Sequence, residues 1–207
     1  MKHNLEEKRF NDIAPRLKDL LERRQFEAHV VQTKDEARDL VFDLIKDAKS
    51  VSFGGSATVD ELGFKEDLRW GQHNVLTRET PEKTRQSIIA NYYLMSTNAI
   101  TTRGELVNVD GLGNRVAALT FAAENVVVIV GRNKIVSSIE AGLDRIATYV
   151  APLNVGRLGL ELPACAKTGT CANCVTPQTV CATKVITRMS KIPGRIKVVL
   201  VNEELGF

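Results

Sequence analysis

Cys165, Cys171, Cys174 and Cys181 are the only cysteines in this chain, and they fall in one short stretch with the spacing C-x5-C-x2-C-x6-C. Four thiolates this close in sequence can surround one soft metal centre, with the Cys171-x-x-Cys174 step as the chelating unit. Gly169 and Pro177 suit a loop that folds back on itself. Zinc ribbons more often use two separated Cys-x-x-Cys knuckles, which favours an iron–sulfur cluster. The spacing departs from the bacterial C-x2-C-x2-C-x3-C-P run, so zinc stays as the alternative, and metal-free redox thiols as a third. Cysteines that merely pack in a core are disfavoured by the confinement of all four to one loop.

A second group is Ser52-Phe-Gly-Gly-Ser-Ala-Thr58, read as a strand running into a helix. Gly54 and Gly55 would let a ligand approach the backbone, the free amides of the helix favour an anion, and Ser56 and Thr58 add hydroxyl donors. A plain turn with a Ser or Thr cap carries equal weight. Thr58 stands where a G-x-S-x-G nucleophile elbow needs its last glycine, and three histidines in the chain leave a serine hydrolase disfavoured.

A third group is Thr101-Thr-Arg-Gly-Glu105 followed by Asn108-Val-Asp-Gly-Leu-Gly-Asn-Arg115. Asp110-Gly-Leu-Gly113 has the look of a dinucleotide fingerprint, but Val116 replaces its third glycine and a hairpin precedes it. The better reading is a bend that carries Asp110 and Arg115 into a pocket at the sheet edge, against a structural Asx turn. Gly131-Arg-Asn-Lys134 follows an apolar strand, so Arg132 and Lys134 would draw a phosphate or carboxylate to the crevice at the strand ends. The bland alternative is a solvated loop.

The elements that must position these residues follow from periodicity. Phe10, Ile13, Leu17, Leu20 and Leu21 give an amphipathic first helix, and 26–32 a strand. Thr33 with Glu36 forms a capping box for a helix burying Ala37, Leu40, Val41, Leu44 and Ile45. Strands are predicted at 50–53, 74–76, 125–130 and 196–201, with a hairpin over 98–109 turning at Arg103-Gly104. Helices are predicted at 81–95, 114–124, from Ser137 onward, and at 182–190. Strands alternating with helices, one wholly apolar, predict an α/β fold: a single domain over 1–207 with an open, mostly parallel sheet covered on both faces, plus a C-terminal cysteine loop.

The bulk numbers exclude several classes. With 207 residues, 43% of them apolar and 26% charged, the chain can build one sizeable core. A net charge of +3 with both signs mixed, and 5% aromatics, argue against a nucleic-acid surface. The longest apolar run, Val126–Val130, is too short to span a membrane. The charged, amphipathic beginning is unlike a secretory signal. A cytoplasmic location follows as the expectation, where clustered cysteines read as metal ligands or redox groups before disulfides. Homo-oligomerisation stays open.

On Ser52–Ser56, Asn108–Arg115, Val127–Lys134, the loop Pro163–Cys181 and the closing Ile196–Phe207, the chain resembles the LUD family, the lactate-utilisation domain proteins. The resemblance covers residue 10 to the end. It implies a fold similar to the sugar-phosphate isomerases and coenzyme A transferases, with a ligand crevice at strand ends. It further implies phosphate or substrate binding by Gly54, Gly55, Ser56 and Thr58, joined by Asn114, Arg115, Arg132 and Lys134. Asp110, with Glu105 behind it, falls where the isomerases keep acid/base carboxylates.

The family resemblance implies a part in oxidising lactate to pyruvate alongside iron–sulfur partner proteins. The chain lacks the appended ferredoxin-like repeat of larger members. The leading expectation is a component of a 2-hydroxy-acid oxidation system that binds a small anion and a four-cysteine centre. The alternatives are a cofactor-free isomerase or transferase for a phosphorylated or coenzyme A substrate, with structural zinc, and a non-catalytic assembly or regulatory protein.

Overall fold

The computed structural model describes residues 2–71 and 73–207. Helix α1 (Lys2–Arg23) buries Phe10, Ala14, Leu17 and Leu21, a stripe at alternating four- and three-residue steps that lies against the strand following it. Strand β1 (Glu27–Val31) leads to α2 (Lys34–Ile45). There Thr33 Oγ1 accepts from Glu36 N at 3.1 Å, while the Glu36 carboxylate accepts from Gln32 N at 2.8 Å. The expected capping box is present with its return bond one residue further back.

Strand β2 (Val51–Phe53) runs into α3 (Ala57–Glu61), α4 (Phe64–Trp70) and α5 (Pro81–Ser87). The helix predicted over 81–95 stops at Ser87, and Tyr92–Met95 is a strand, β3. It slots between β2 and the strand Asn125–Gly131, where Tyr93, Leu94 and Met95 are all buried; burial on both faces overrides the helical reading. The strand predicted at 74–76 is reduced to a single bridge, Val51 to Val75.

The hairpin β4 (Ala99–Thr101) and β5 (Leu106–Asp110) turns as predicted, with Gly104 at φ 86°. Helix α6 (Asn114–Ala117) loosens into a π-helical turn over Ala118–Ala122 before β6 (Asn125–Gly131). A 3-10 turn (Arg132–Lys134) and β7 (Ile135–Val136) follow. Helix α7 (Ile139–Arg145) continues through a π turn (Ile146–Val150) into α8 (Ala151–Arg157). Its cap is Ser138, one residue later than predicted, accepting from Ala141 N at 3.2 Å. After α9 (Ala164–Thr168), the segment predicted as helix 182–190 contains a strand, β8 (Thr183–Thr187), paired antiparallel with β5. Its β-branched Thr183, Val185, Ile186 and Thr187 suit a half-buried sheet edge. Strand β9 (Ile196–Val201) ends the regular structure.

Five strands form a wholly parallel sheet in the order β1-β9-β6-β3-β2. Along β6 the pleat sends Val126, Val128 and Val130 to the core under α1, and Val127 and Ile129 to the core under α2, α3 and α4. This is the predicted mostly parallel sheet covered on both faces. A second sheet, β7-β4-β5-β8, was not foreseen; its own core joins Ala99, Val107 and Val109 to Ile146, Val150 and Ala151. Among the described residues no helix is long and apolar enough to cross a membrane.

Candidate functional site

The turns after β2, β3 and β6 leave the same end of the parallel sheet, and the bend after β5 meets them there. A cavity of about 540 Å³ lies between these turns, α8 and the end of the cysteine loop, in the size range of small-molecule sites. Among the described residues its charged side chains are one-sided: Arg78, Arg115, Lys134 and Arg157 against one side-chain carboxylate, Asp110. Such a wall draws anions.

The floor is built around Lys134. Its nitrogen donates to Thr58 Oγ1 at 2.8 Å and to Ser96 Oγ at 3.0 Å, so one amine ties the turns after β2, β3 and β6 together. Burial, with the charges of Arg145 and Arg115 adding to it, pushes this ammonium down to about 7; Glu61 opposes weakly. Asp110 forms an ion pair with Arg115 Nε at 3.2 Å and accepts from Gly113 N at 3.1 Å, so it shapes the Asp110–Gly113 bend while facing the cavity. Arg115 also donates to the Val109 carbonyl at 2.7 Å. That leaves its guanidinium fixed at the rim of the cavity.

Two glycines allow this packing. A Cβ on Gly54 would lie 2.6 Å from Arg115 Cγ and 2.8 Å from Cδ, so the arginine stem occupies the space that a side chain at 54 would fill. A Cβ on Gly111 would lie 3.1 Å from the Thr179 carbonyl oxygen and 3.2 Å from Val180 Cα. The end of the cysteine loop therefore rests directly on the Asp110 bend.

All four cysteines line a second, smaller cavity of about 80 Å³, walled on its other sides by α7, α8 and Lys184. They are free thiols. Burial and the neighbouring sulfurs raise Cys165, and the same causes push Cys181 up to about 11. Among the described residues, no three or more His, Cys, Asp or Glu are close enough together to hold a metal ion. The donor type suits a soft ion: among the described residues the cavity lining holds four sulfurs and no carboxylate or imidazole. The two cavities share a wall of Val109, Ile146, Ala151, Thr179, Val180 and Cys181.

A family model for the LUD domain matches residues 14–201. The chain belongs to the LUD domain family. This family is associated with lactate utilisation, and the match bears out the resemblance carried by the sequence motifs. The fold is also similar to that of a DUF162 family protein from Deinococcus radiodurans, solved as a crystal structure, with a TM-score of 0.57 at 15% identity. That alignment covers 92% of this chain and 97% of the other. A search of curated proteins found no match.

Within the LUD domain, the cavity collects Gly55, Ser56, Thr58, Asp110, Asn114, Arg115 and Lys134 from the residues singled out in the sequence, together with Cys181. Cys165, Cys171 and Cys174 line the smaller cavity, and three further residues lie elsewhere. Gly54 is absent from the cavity lining and makes room for Arg115 instead of a ligand. Glu105 sits at the hairpin, held by the Thr101 hydroxyl and by Arg24 at 3.1 Å, and does not line the cavity behind Asp110. Arg132 is buried away from it, donating to the Asn202 carbonyl at 2.5 Å. Ser56 does both jobs weighed for it, since it caps α3 through Val59 N at 3.3 Å and also lines the cavity.

Sequence reasoning missed Arg78, Ser96, Thr97, Asn98, Asn154 and Arg157. Ser96-Thr97-Asn98 follows the strand mistaken for a helix. Reading Tyr92–Met95 as a strand would have placed three polar residues at a carboxyl end, where open α/β sheets bind ligands. Arg78, Asn154 and Arg157 carry no comparable local signal.

Proposed function

We propose that this LUD domain binds a small carboxylate-bearing anion, the 2-hydroxy acid of a lactate oxidation system, and that its cysteine loop would draw Cys165, Cys171, Cys174 and Cys181 together around a metal centre on loading. One observation carries the reading: a ligand-sized cavity at the strand ends is lined, among the described residues, by three arginines and Lys134 against one side-chain carboxylate, and Cys181 is part of its wall. Arg115 and Arg157 would hold the carboxylate, as paired guanidinium donors suit a planar acid. Asp110 would accept the proton of the 2-hydroxyl group, with Arg115 holding its carboxylate in place.

An iron–sulfur cluster on the cysteines would supply one-electron transfer, whereas zinc would only staple the loop. The shared wall supports a centre beside the anion, and the loop resting on Gly111 supports coupling between the two. Loading must expel the thiol protons, and the raised Cys165 and Cys181 make that step harder as pH falls.

Anaerobic purification followed by iron, sulfide and zinc analysis, with visible absorption, tests the centre. The expected result is iron and sulfide in comparable amounts and a coloured protein. A colourless protein with stoichiometric zinc removes the electron-transfer role. Calorimetric titration with lactate tests the anion site, and failure to bind lactate, oxalate or pyruvate would overturn it.

A further inference from the structure

Lys134 is buried, at 3% exposure, on the floor of the cavity, and no ion pair within 4 Å is found for its nitrogen among the described residues. Its two hydrogen-bond partners are hydroxyls whose own hydrogens go elsewhere. Thr58 donates to the Leu205 carbonyl at 3.2 Å, and Ser96 donates to the Thr97 carbonyl at 3.3 Å. The nitrogen must therefore be the donor in both contacts. A neutral amine has two hydrogens and one lone pair. In the neutral form both hydrogens go to Thr58 and Ser96, and the lone pair is what that form leaves on a nitrogen lining an arginine-rich cavity.

We propose that Lys134 is a nucleophile that forms a reversible imine with a small 2-oxo acid whose carboxylate is held by the arginines of the cavity. This rests on the anion site proposed above and deepens it to a substrate class. The lone pair of Nζ adds to the carbonyl carbon to give a carbinolamine. The carbonyl oxygen leaves as water with the two nitrogen hydrogens, and a carbon–nitrogen double bond remains; hydrolysis reverses the step. Oxidation state does not change, so no electron acceptor is required.

The surroundings suit this chemistry. Burial together with Arg145 and Arg115 brings the amine down to about 7, with Glu61 opposing, so the uncharged form is populated from neutral pH upward, and a desolvated lysine beside other cations is an activated nucleophile. Ser96 and Thr58 fix its direction. The cavity provides cations for the acid group beside it.

The test is reductive trapping. The full chain is incubated with pyruvate and cyanoborohydride, which delivers hydride to an imine, then digested and mapped by mass spectrometry. The expected result is one carboxyethyl adduct concentrated on Lys134 and suppressed by excess oxalate, which occupies the anion site but has no ketone to condense. Lys134→Arg should lose that adduct, with circular dichroism and the thermal midpoint reporting whether the variant is folded. Oxalate protection of the unaltered chain keeps the test decisive if the variant does not fold. Adducts confined to exposed lysines, or none, overturn the imine. If oxalate binding persists in that case, the anion site stands alone; if it is absent, both fall.

Discussion

Arg115 depends on a residue that never touches the ligand cavity. Its stem lies where any side chain at position 54 would sit, so Gly54→Ala should displace the Arg115 guanidinium in the cavity wall from a position outside that wall. The expected outcome is weaker oxalate binding by about tenfold, the worth of one charge-assisted hydrogen bond, with the same direction as Arg115→Met. Calorimetry on both variants checks it, and unchanged affinity in Gly54→Ala would mean that Arg115 contributes nothing to the anion. At this scale the sequence was informative about type and ambiguous about role. A glycine after a strand could equally serve a ligand or a packed neighbour, and only the Arg115 stem decides between them. Arg132 and Lys134 stand two apart and look alike in sequence. The 3-10 turn after β6 sends one to Asn202 and the other to Thr58 and Ser96.

Elements hold the site through unpaired backbone groups. The π-helical turn Ala118–Ala122 closes with Ala123 N donating to the Ala118 carbonyl at a long 3.4 Å, and carbonyls at a helix end need further donors. Arg195, buried just ahead of β9, donates to the carbonyls of Ala118, Leu119 and Ala123 at 2.8–3.0 Å. Arg195→Leu would remove the arginine donor from all three carbonyls and should cost about 3 kcal/mol, read as a lower midpoint in urea with an unchanged slope. The first helix and α2 were legible because each is long with one clear period, and β6 because its run is wholly apolar. The segments 81–95 and 182–190 misled because Tyr92–Met95 and Thr183–Thr187 are short. What makes them strands is pairing with β2, β6 and β5, residues far away in the chain.

For the molecule as a whole, Lys134 links stability to pH. In the unfolded chain its amine keeps an ordinary lysine value, whereas burial brings it down to about 7 in the folded one. Between those two values the unfolded chain binds the extra proton, so this group's contribution to stability rises with pH, by about 1 kcal/mol per unit. Below about pH 7 both states are protonated and the penalty of the buried charge is at its full value. Lys134→Met should therefore raise the thermal midpoint most at neutral and lower pH, with the gap to the unaltered chain narrowing from pH 7 towards 10. Denaturation curves across that range check the sign; a constant gap would show that the amine is not desolvated. A residue kept at such a cost is the mark of a functional site.

The amino-acid sequence by itself determined the α/β class, the family, the strand-end location of the glycine and Asp110 turns, and the four sulfur donors. These are local properties, set by periodicity, turn chemistry and residue type within a few positions. Tertiary structure alone decided that Lys134, Thr58 and Ser96 meet on one floor, that Glu105 and Arg132 face elsewhere, and that Cys181 stands in the wall between two cavities. Those outcomes depend on which strands become neighbours. Strand order in a parallel sheet is settled by burial and pairing across long stretches of chain, so it leaves no short-range trace.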